Sequence, residues 1–258
     1  MLLKDKVVVV CGVGPGLGRS VAVRSAHHGA DVVLAARTGS RLKEVAAEVE
    51  RAGRRALAVP ADVTRPQDCA GLAEAALAEF GRVDALVSSA FENPSFGDLV
   101  DVGPDGVRTA LDTNLYSALE LVRVFKPALA ESRGSVVMVN SITVRRSQRT
   151  FGPYKMAKAG LLALAQTLST ELGPEGIRVN SVAPGYIWAD AMRQYFARLA
   201  EERGVDPAQV YDEIAAETDL RRLPTADQVA DVIAFLFSEL AGAVAGQCLD
   251  VNAGQYHH

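Results

Sequence analysis

Three polar side chains in the middle of the chain could together exchange a proton with an alcohol or carbonyl oxygen. Tyr154 and Lys158 stand four residues apart in a predicted helix and so share one face. A phenol has a pKa of about 10, and a neighbouring ammonium lowers it toward the range useful for acid–base catalysis. Exposed Tyr and Lys are common on helices, but Ser141, at the predicted end of a strand, strengthens the hypothesis. Asn114 falls inside a predicted helix, where its poor propensity suggests a polar role.

A glycine-rich turn follows the first predicted strand and precedes a helix. It reads Cys11-Gly12-Val13-Gly14-Pro15-Gly16-Leu17-Gly18. Glycines there let the backbone approach a pyrophosphate, and the helix N-terminus supplies N–H groups and partial positive charge. Counted from Gly12, Leu17 takes the last glycine position of G-x-G-x-x-G, and a tight turn without a ligand is the alternative. Its position between strand and helix favours a dinucleotide site built from Gly12, Gly14, Pro15, Gly16, Leu17 and Gly18.

The ends of the next two strands bear on which dinucleotide binds. The second strand ends in Ala35-Ala36-Arg37-Thr38, without the carboxylate that would bind a ribose 2′-hydroxyl. Arg37 instead offers a guanidinium suited to a phosphate, which favours NADP(H), with NAD(H) or a solvated arginine as alternatives. Asp62, beside Val63 after the third strand, could accept from the adenine amino group or simply begin a helix.

These residues need strands and helices that bring them to one edge. Apolar, mostly β-branched runs occupy 6–11, 31–36, 55–59, 83–88, 134–140, 177–183 and 247–251. Helical patterns fall at about 17–28, 40–52, 66–80, 105–131, 153–172 and 225–240. The alternation predicts an α/β fold, a Rossmann-type doubly wound parallel sheet of about seven strands with helices on both faces. No linker composition divides residues 1–258, so we expect one domain, with a substrate loop at about 186–222 that contains two helical pieces and no strand.

Together, these features resemble the classical short-chain dehydrogenase/reductase family across essentially the whole chain. The resemblance rests on Gly12, Gly16, Gly18, Asp62, Asn114, Ser141, Tyr154, Lys158, Asn180 and Pro184-Gly185. It implies that Tyr154 is the general acid or base, that Lys158 lowers its pKa and contacts the nicotinamide ribose, and that Ser141 orients the substrate oxygen. It further implies a relay water at Asn114, and Pro184 and Gly185 beside the nicotinamide. We add Val63, Ser89, Ala90 and Ile187 to the expected cofactor contacts.

The resemblance also implies an assembly, and the chain departs from the family pattern at several positions. Members are expected to be homotetramers, with helices around 105–131 and 153–172 at one interface. The family usually has a Thr where Cys11 stands, Asn-Asn-Ala-Gly where Ser88-Ser89-Ala90-Phe91 stands, and a Thr at Ala189. Since the family's Thr and Asn hydrogen-bond each other, we infer that this pair was replaced together. Phe91 adds bulk near the pocket, and Ala189 lacks a hydroxyl that helps to hold the carboxamide.

The leading function is a dehydrogenase or reductase acting on a secondary alcohol or ketone that is partly apolar. Tyr186, Trp188, Met192, Tyr195 and Phe196 could cover such a substrate or pack as ordinary core. The alternative is a carrier- or CoA-linked 3-oxoacyl reductase, in which Arg145, Arg146 and Arg149 would bind an acidic group unless they are solvated or at a subunit contact. A non-catalytic dinucleotide-binding protein has no need of a paired phenol and ammonium.

Composition argues against other classes. A net charge of −4 without basic clusters gives no support to a nucleic-acid or membrane-surface partner. Cys11, Cys69 and Cys248 have no metal-ligand spacing, and their odd number favours a reducing compartment over a disulfide framework. No apolar run is long enough to span a bilayer. We therefore expect a cytoplasmic protein without a metal site.

Overall fold

The seven apolar runs form one parallel sheet, which confirms the fold class expected from the sequence. The computed structural model describes residues 1–91 and 97–257. The strands are β1 Val7–Cys11, β2 Asp31–Ala36, β3 Ala56–Pro60, β4 Ala85–Ser88, β5 Ser135–Val139, β6 Arg178–Pro184 and β7 Cys248–Val251. Their order in the sheet is β3-β2-β1-β4-β5-β6-β7, and every neighbouring pair is parallel.

Helices connect the strands and cover both faces of the sheet. In the described part of the chain they are α1 Leu17–His27, α2 Gly39–Arg51, α3 Pro66–Phe80, α4 Leu99–Leu111, α5 Ser117–Ser132, α6 Gly152–Leu172, α7 Asp190–Arg203, α8 Pro207–Ala215 and α9 Ala226–Phe237. Their ends follow local chemistry. Thr225 and Gln228 form a reciprocal capping box at the start of α9, and Gly81 ends α3 with a left-handed φ of 72°.

The alternating side chains of β1 show how the core is divided. Val7, Val9 and Cys11 pack on the face covered by α3, α5 and α6, which contribute Leu72, Leu121 and Leu161. Val8 and Val10 pack on the opposite face against α1, α2 and α9, which contribute Val21, Val45 and Ile233. Both faces of each central strand are therefore buried, which explains why the strands are continuously apolar.

One predicted helix is wrong in its boundaries. The segment predicted as a helix over 105–131 begins earlier, at Leu99, and consists of α4, a π-helical turn at Asp112–Tyr116, and α5. Gly103, with φ 67°, also kinks α4 near its start. A π turn holds one more residue per turn than an α-helix and is frequent at functional sites. Asn114 lies in this turn rather than in a regular helix.

The expected loop at 186–222 contains α7 and α8, and its backbone makes one isolated parallel bridge, between Trp188 and Thr225. Most of its aromatic side chains pack on one another. Trp188 lies with its ring centroid 4.6 Å from that of Tyr211 and 5.6 Å from that of Phe196. Phe196 is 1% exposed in a small apolar cluster between the two helices. These rings therefore form a small core of their own, which is the alternative that the sequence left open.

The strand order sets the place of a binding site. β1 and β4 are neighbours, and the chain leaves them toward opposite edges of the sheet. Ligands of doubly wound sheets bind at the carboxyl ends of the strands beside such a switch point. No helix in residues 1–91 and 97–257 is long and apolar enough to cross a membrane.

Candidate functional site

A cleft of about 630 Å³ opens at the carboxyl ends of the strands. It is lined by every residue that the sequence assigned to the cofactor: Gly12, Gly14, Pro15, Gly16, Leu17, Gly18, Arg37, Asp62, Val63, Ser89, Ala90, Tyr154, Lys158, Pro184, Gly185 and Ile187. Ser141 lines it as well. Met192, which the sequence offered as a possible substrate contact, lines it too. Residues that the sequence did not assign to the site include Thr38, Arg41, Thr64, Thr113, Asn140 and Ala191.

The glycines of the turn serve two different purposes. Gly12 has φ 100°, and a Cβ there would collide with the backbone of Ser89 and Ala90. A Cβ at Gly18 would collide with the carbonyl of Gly12, so this glycine permits close packing of helix and strand. Around Gly14, by contrast, no atom of residues 1–91 or 97–257 beyond its chain neighbours lies within 4 Å of a Cβ position. Protein packing does not require that glycine, and the open space fits a ligand.

The start of α1 is suited to a phosphate group. No side chain caps this helix, whose N-cap residue is Gly16. Its first N–H groups therefore have no side-chain acceptor, and the helix end carries partial positive charge. Among the residues that the structure describes, a Cβ at Gly16 would meet only Ala189, at 3.9 Å. The cradle between Gly14, Gly16 and α7 fits the pyrophosphate of a dinucleotide.

The far end of the cleft carries two arginines. Arg37 and Arg41 are exposed, line the cleft, and make no hydrogen bond or ion pair with any residue in the described ranges. Asp62 accepts hydrogen bonds at Oδ1 from the Thr64 backbone N–H (3.0 Å) and hydroxyl (2.7 Å). These bonds, helped by the charge of Arg37, lower the pKa of the Asp62 carboxyl. Arg41 lies in the first turn of α2, and a second arginine this close to the end of β2 is the signal by which the sequence could have indicated it.

The near end of the cleft brings together Ser141, Tyr154 and Lys158. The ammonium of Lys158 lies 5.6 Å from the centroid of the Tyr154 ring and donates to the Val139 carbonyl at 2.8 Å. Ser141 Oγ accepts from the Thr143 hydroxyl at 2.6 Å and from its backbone N–H at 3.2 Å. With both acceptor positions used, the Ser141 hydroxyl can only donate in a further hydrogen bond, and in this structure the partner is Tyr154.

The segment after Ser141 is held by a lysine that sequence reasoning missed. Lys155 Nζ donates to the carbonyls of Thr143 at 3.0 Å and Arg146 at 2.7 Å. Ser141 N–H donates to Asn140 Oδ1 at 3.0 Å. The serine is thus fixed from the α6 side and by the residue that follows β5, as a group that positions a substrate oxygen must be.

Burial shifts both titratable groups at this end. Desolvation raises the pKa of the Tyr154 phenol, and a hydrogen bond with Ser141 opposes the rise. Lys158 is 3% exposed, and burial lowers its pKa to about 7. In the protein alone, the phenol therefore lies beside an amine whose proton is easily lost near neutrality.

Asn114 lies behind the cleft rather than on its surface. Its side chain is 3% exposed, and Nδ2 donates to the Ala110 carbonyl at 3.0 Å. Oδ1 is buried and has no partner among the described residues. A buried acceptor without a partner is costly and is usually satisfied by water, which is consistent with the relay water that the resemblance implies.

The three arginines after Ser141 are all engaged elsewhere. Arg145 pairs with Asp250 at 3.2 Å, and Arg149 pairs with Asp98 at 2.7 Å. Arg146 donates to the Tyr256 hydroxyl and lies with its guanidinium carbon 4.8 Å from that ring's centroid. None of the three lines the cleft.

Two of the departures from the family pattern stand on neighbouring strands. Cys11 of β1 lies opposite Ser88 of β4 in the strand register, and the Ser89 N–H donates to the Cys11 carbonyl at 2.8 Å. The side chain of Phe91 extends to the reaction end, where its ring meets that of Tyr154 edge to face, with centroids 5.6 Å apart.

Ala189 occupies the N-cap of α7, where no side chain caps the helix. We expect Ala189→Thr to stabilise the protein by about 1 kcal/mol, because a hydroxyl can accept from the first-turn N–H groups. We also expect tighter cofactor binding, because this residue faces Gly16 at the cleft. Thermal unfolding and fluorescence titration measure the two effects separately. Unchanged cofactor affinity would contradict the second.

Comparisons with known proteins agree with this geometry. Residues 12–256 match the family model described as Enoyl-(Acyl carrier protein) reductase. The chain is 34% identical to the L-rhamnose 1-dehydrogenase (NAD(P)(+)) of Sphingomonas sp. (strain SKA58), over 99% of this chain and 98% of that protein.

Two solved structures extend the comparison. L-sorbose reductase from Gluconobacter frateurii, complexed with NADPH and L-sorbose, superposes with a TM-score of 0.94 at 27% identity, covering 99% of this chain and 98% of that one. A 7α-hydroxysteroid dehydrogenase complexed with NADH and 7-oxo glycochenodeoxycholic acid gives 0.88 at 28% identity, covering 98% and 94%. The chain therefore belongs to the classical short-chain dehydrogenase/reductase family and is an oxidoreductase of the CH–OH group that uses NAD(P).

Proposed function

We propose that the protein interconverts a secondary alcohol and a ketone with NADP(H), using Tyr154 as the general acid and base. One observation carries the proposal. Ser141, Tyr154 and Lys158 converge at one end of a cleft whose other end presents Arg37 and Arg41 without partners among the described residues. The first group suits proton exchange with a substrate oxygen, and the second suits a phosphate.

The cleft assigns a role to each part of the chain. The glycine turn and the α1 N-terminus would hold the pyrophosphate, and Pro184, Gly185 and Ile187 would border the nicotinamide. Asp62, Val63, Ser89 and Ala90 would surround the adenosine half and the linking ribose. The bound nicotinamide supplies or takes the hydride at the substrate carbon.

The proton moves through the chain's own side chains. In reduction, the Tyr154 hydroxyl donates its proton to the carbonyl oxygen while the carbon receives hydride, so that the ketone becomes an alcohol. Ser141 donates a hydrogen bond to the same oxygen and holds it there. Lys158, when protonated, stabilises the phenolate left behind, and water held at Asn114 returns a proton by way of Lys158. In oxidation each transfer is reversed.

The preference for NADP(H) over NAD(H) rests on the two arginines. We expect replacement of Arg37 and Arg41 by Ala to weaken NADPH binding about 10- to 100-fold, because charge-assisted hydrogen bonds to the 2′-phosphate are lost. NADH, which lacks that phosphate, should bind unchanged. Fluorescence titration of both cofactors against both proteins measures this. Equal losses for the two cofactors would assign the arginines to another role.

The carrier-linked 3-oxoacyl reductase is the second enzyme hypothesis, and the structure gives it no support. It relied on Arg145, Arg146 and Arg149, which are occupied by Asp250, by Tyr256 and by Asp98. A non-catalytic binding protein would not need the Ser141, Tyr154 and Lys158 arrangement. Reduction of a panel of ketones with NADPH, with Tyr154→Phe as the inactive control, tests the proposal.

We also propose a homotetramer in the cytoplasm, formed by one catalytic domain per chain. Large apolar side chains are exposed on the helices expected at an interface. Tyr116 is 54% exposed, Leu119 43% and Met156 45%, around α5 and α6. Burial of these side chains against a second copy would remove them from water. Light scattering gives the mass of the assembly, and a monomer would contradict the proposal.

A further inference from the structure

The part of the cleft next to Tyr154 differs in character from the rest. In the described part of the chain, the charged side chains that line the cleft are Arg37, Arg41 and Asp62 at one end and Lys158 at the other. Lys158 is already bonded to the Val139 carbonyl. A substrate at the Tyr154 end therefore meets no free charge on these residues.

Three of the apolar side chains that line the cleft are Phe91, Ala191 and Met192. Phe91 follows β4, and Ala191 and Met192 lie in the first turn of α7. Met192 is half-buried, and its flexible thioether can adapt to apolar and aromatic surfaces. These residues bury apolar area but offer no side-chain hydrogen bond to a substrate hydroxyl.

Phe91 is the one of the three that contacts the reaction centre. Its ring stands at 80° to that of Tyr154, with the centroids 5.6 Å apart, in the edge-to-face arrangement that aromatic pairs favour. Yet 50% of the residue is exposed, and it lines the cleft. A substrate whose oxygen reaches the Tyr154 hydroxyl therefore has its carbon skeleton beside the open part of Phe91.

We propose that Phe91 determines the substrate class, and that the substrates are uncharged ketones whose carbonyl lies in, or next to, an alicyclic or aromatic ring. The inference rests on the proposed ketone reduction and deepens it. A ring placed against Phe91 buries apolar surface that was in contact with water, which favours binding by about 25 cal/mol for each Å² buried. Hydroxyl groups placed there lose their hydrogen bonds to water, and the phenyl ring offers no replacement.

The relatives show that this distinction matters, since their names include sugars as well as a steroid. An open-chain polyhydroxy ketone needs a partner for each hydroxyl, and a hydroxyl buried against apolar side chains loses its hydrogen bonds to water without replacement. Phe91, Ala191 and Met192 provide none. These side chains therefore favour alicyclic or aryl ketones.

The test compares two substrates across three variants. Initial rates with NADPH are measured for a substituted cyclohexanone and for an open-chain ketose. In the parent protein we expect the higher kcat/KM for the cyclohexanone. Phe91→Ala should lower that value about ten-fold, as expected from the loss of roughly 50 Å² of apolar contact, and should leave the ketose value unchanged. Phe91→Leu, which keeps apolar bulk, should retain most of the preference. Val100→Ala removes an equally apolar side chain that is 93% exposed outside the cleft and should change neither value.

A binding measurement separates this inference from the proposed chemistry. Tyr154→Phe keeps the ring that Phe91 contacts but cannot exchange the proton. Calorimetry with the cyclohexanone and NADP⁺ is carried out on Tyr154→Phe and on the double variant that also carries Phe91→Ala. A roughly ten-fold weaker affinity in the double variant supports the inference even without turnover. Equal affinities, or a parent enzyme that prefers the ketose, would overturn it. Absence of turnover for every ketone would instead refute the proposed function.

Discussion

Tyr154→Phe is expected to lower kcat for ketone reduction by about 10³-fold while NADPH binds as before. The substitution removes one oxygen, and general acid–base catalysis by a positioned side chain contributes about 10²–10⁴-fold. The aromatic ring stays, so its edge-to-face contact with Phe91 is retained. Desolvation already disfavours ionisation of this phenol, and its replacement by an apolar ring leaves no buried charge. Steady-state rates and fluorescence titration of NADPH measure the two effects.

A matched control distinguishes loss of chemistry from loss of structure. Tyr211→Phe removes a hydroxyl that accepts from the Leu223 N–H at 3.4 Å between α8 and the following loop, away from the cleft lining. We expect it to retain the parent rate. Equal rates in the parent protein and Tyr154→Phe would refute the catalytic assignment. A decreased NADPH affinity in Tyr154→Phe would mean that the residue acts mainly on the cofactor.

The predictable parts of the site rest on local signals. The glycine turn can be predicted from one short segment, because the strand before it and the helix after it both have recognisable hydrophobic patterns. Tyr154 and Lys158 meet because they are four residues apart in one helix, α6. Ser141 joins them because parallel strands end at the same edge of the sheet. None of these inferences needs a partner distant in the chain.

The unpredictable parts depend on contacts between distant segments. Arg145 and Arg149 have charges suited to a substrate anion, but their partners, Asp250 and Asp98, are far away in the sequence. Whether an arginine is free or paired is decided by tertiary packing, which residue type does not reveal. Trp188 illustrates the same limit, since an aromatic pattern at helical spacing fits a substrate cover and a small core equally well.

The π-helical turn at Asn114 escaped prediction for a different reason. One extra residue in one turn changes the hydrophobic period too little to be seen over a segment that is otherwise helical. The sequence indicated only that an asparagine was out of place in a helix. The structure adds the geometric consequence, which is a buried Oδ1 without a partner in the described chain.

Lys158 is expected to support catalysis at the expense of stability. Its pKa is lowered from 10.5 to about 7 by burial, so in the absence of cofactor the folded state binds its proton less readily than the unfolded state. The resulting loss of folding free energy is fully present below pH 7. It disappears as the pH rises to the pKa that lysine has in the unfolded chain. At pH 7 it amounts to roughly 4 kcal/mol. Lys158→Met removes this cost but also removes the hydrogen bond to Val139, worth about 1 kcal/mol.

We therefore expect cofactor-free Lys158→Met to be about 3 kcal/mol more stable than the parent protein at pH 7, a rise in Tm of roughly 6–12 °C, and to be nearly inactive. Between pH 7 and 9 the stability advantage should shrink by up to about 1.4 kcal/mol per pH unit, because the unfolded parent chain binds the additional proton throughout this range. Denaturant unfolding of both proteins at several pH values measures the difference, in which the other titrating groups cancel.

Lys155→Met is the matched control. It removes two hydrogen bonds to carbonyls and should lower stability. The expectation would be contradicted if Lys158→Met were less stable than its parent at pH 7, or if its stability advantage did not change with pH. Either result would show that burial of the Lys158 ammonium does not destabilise the folded protein.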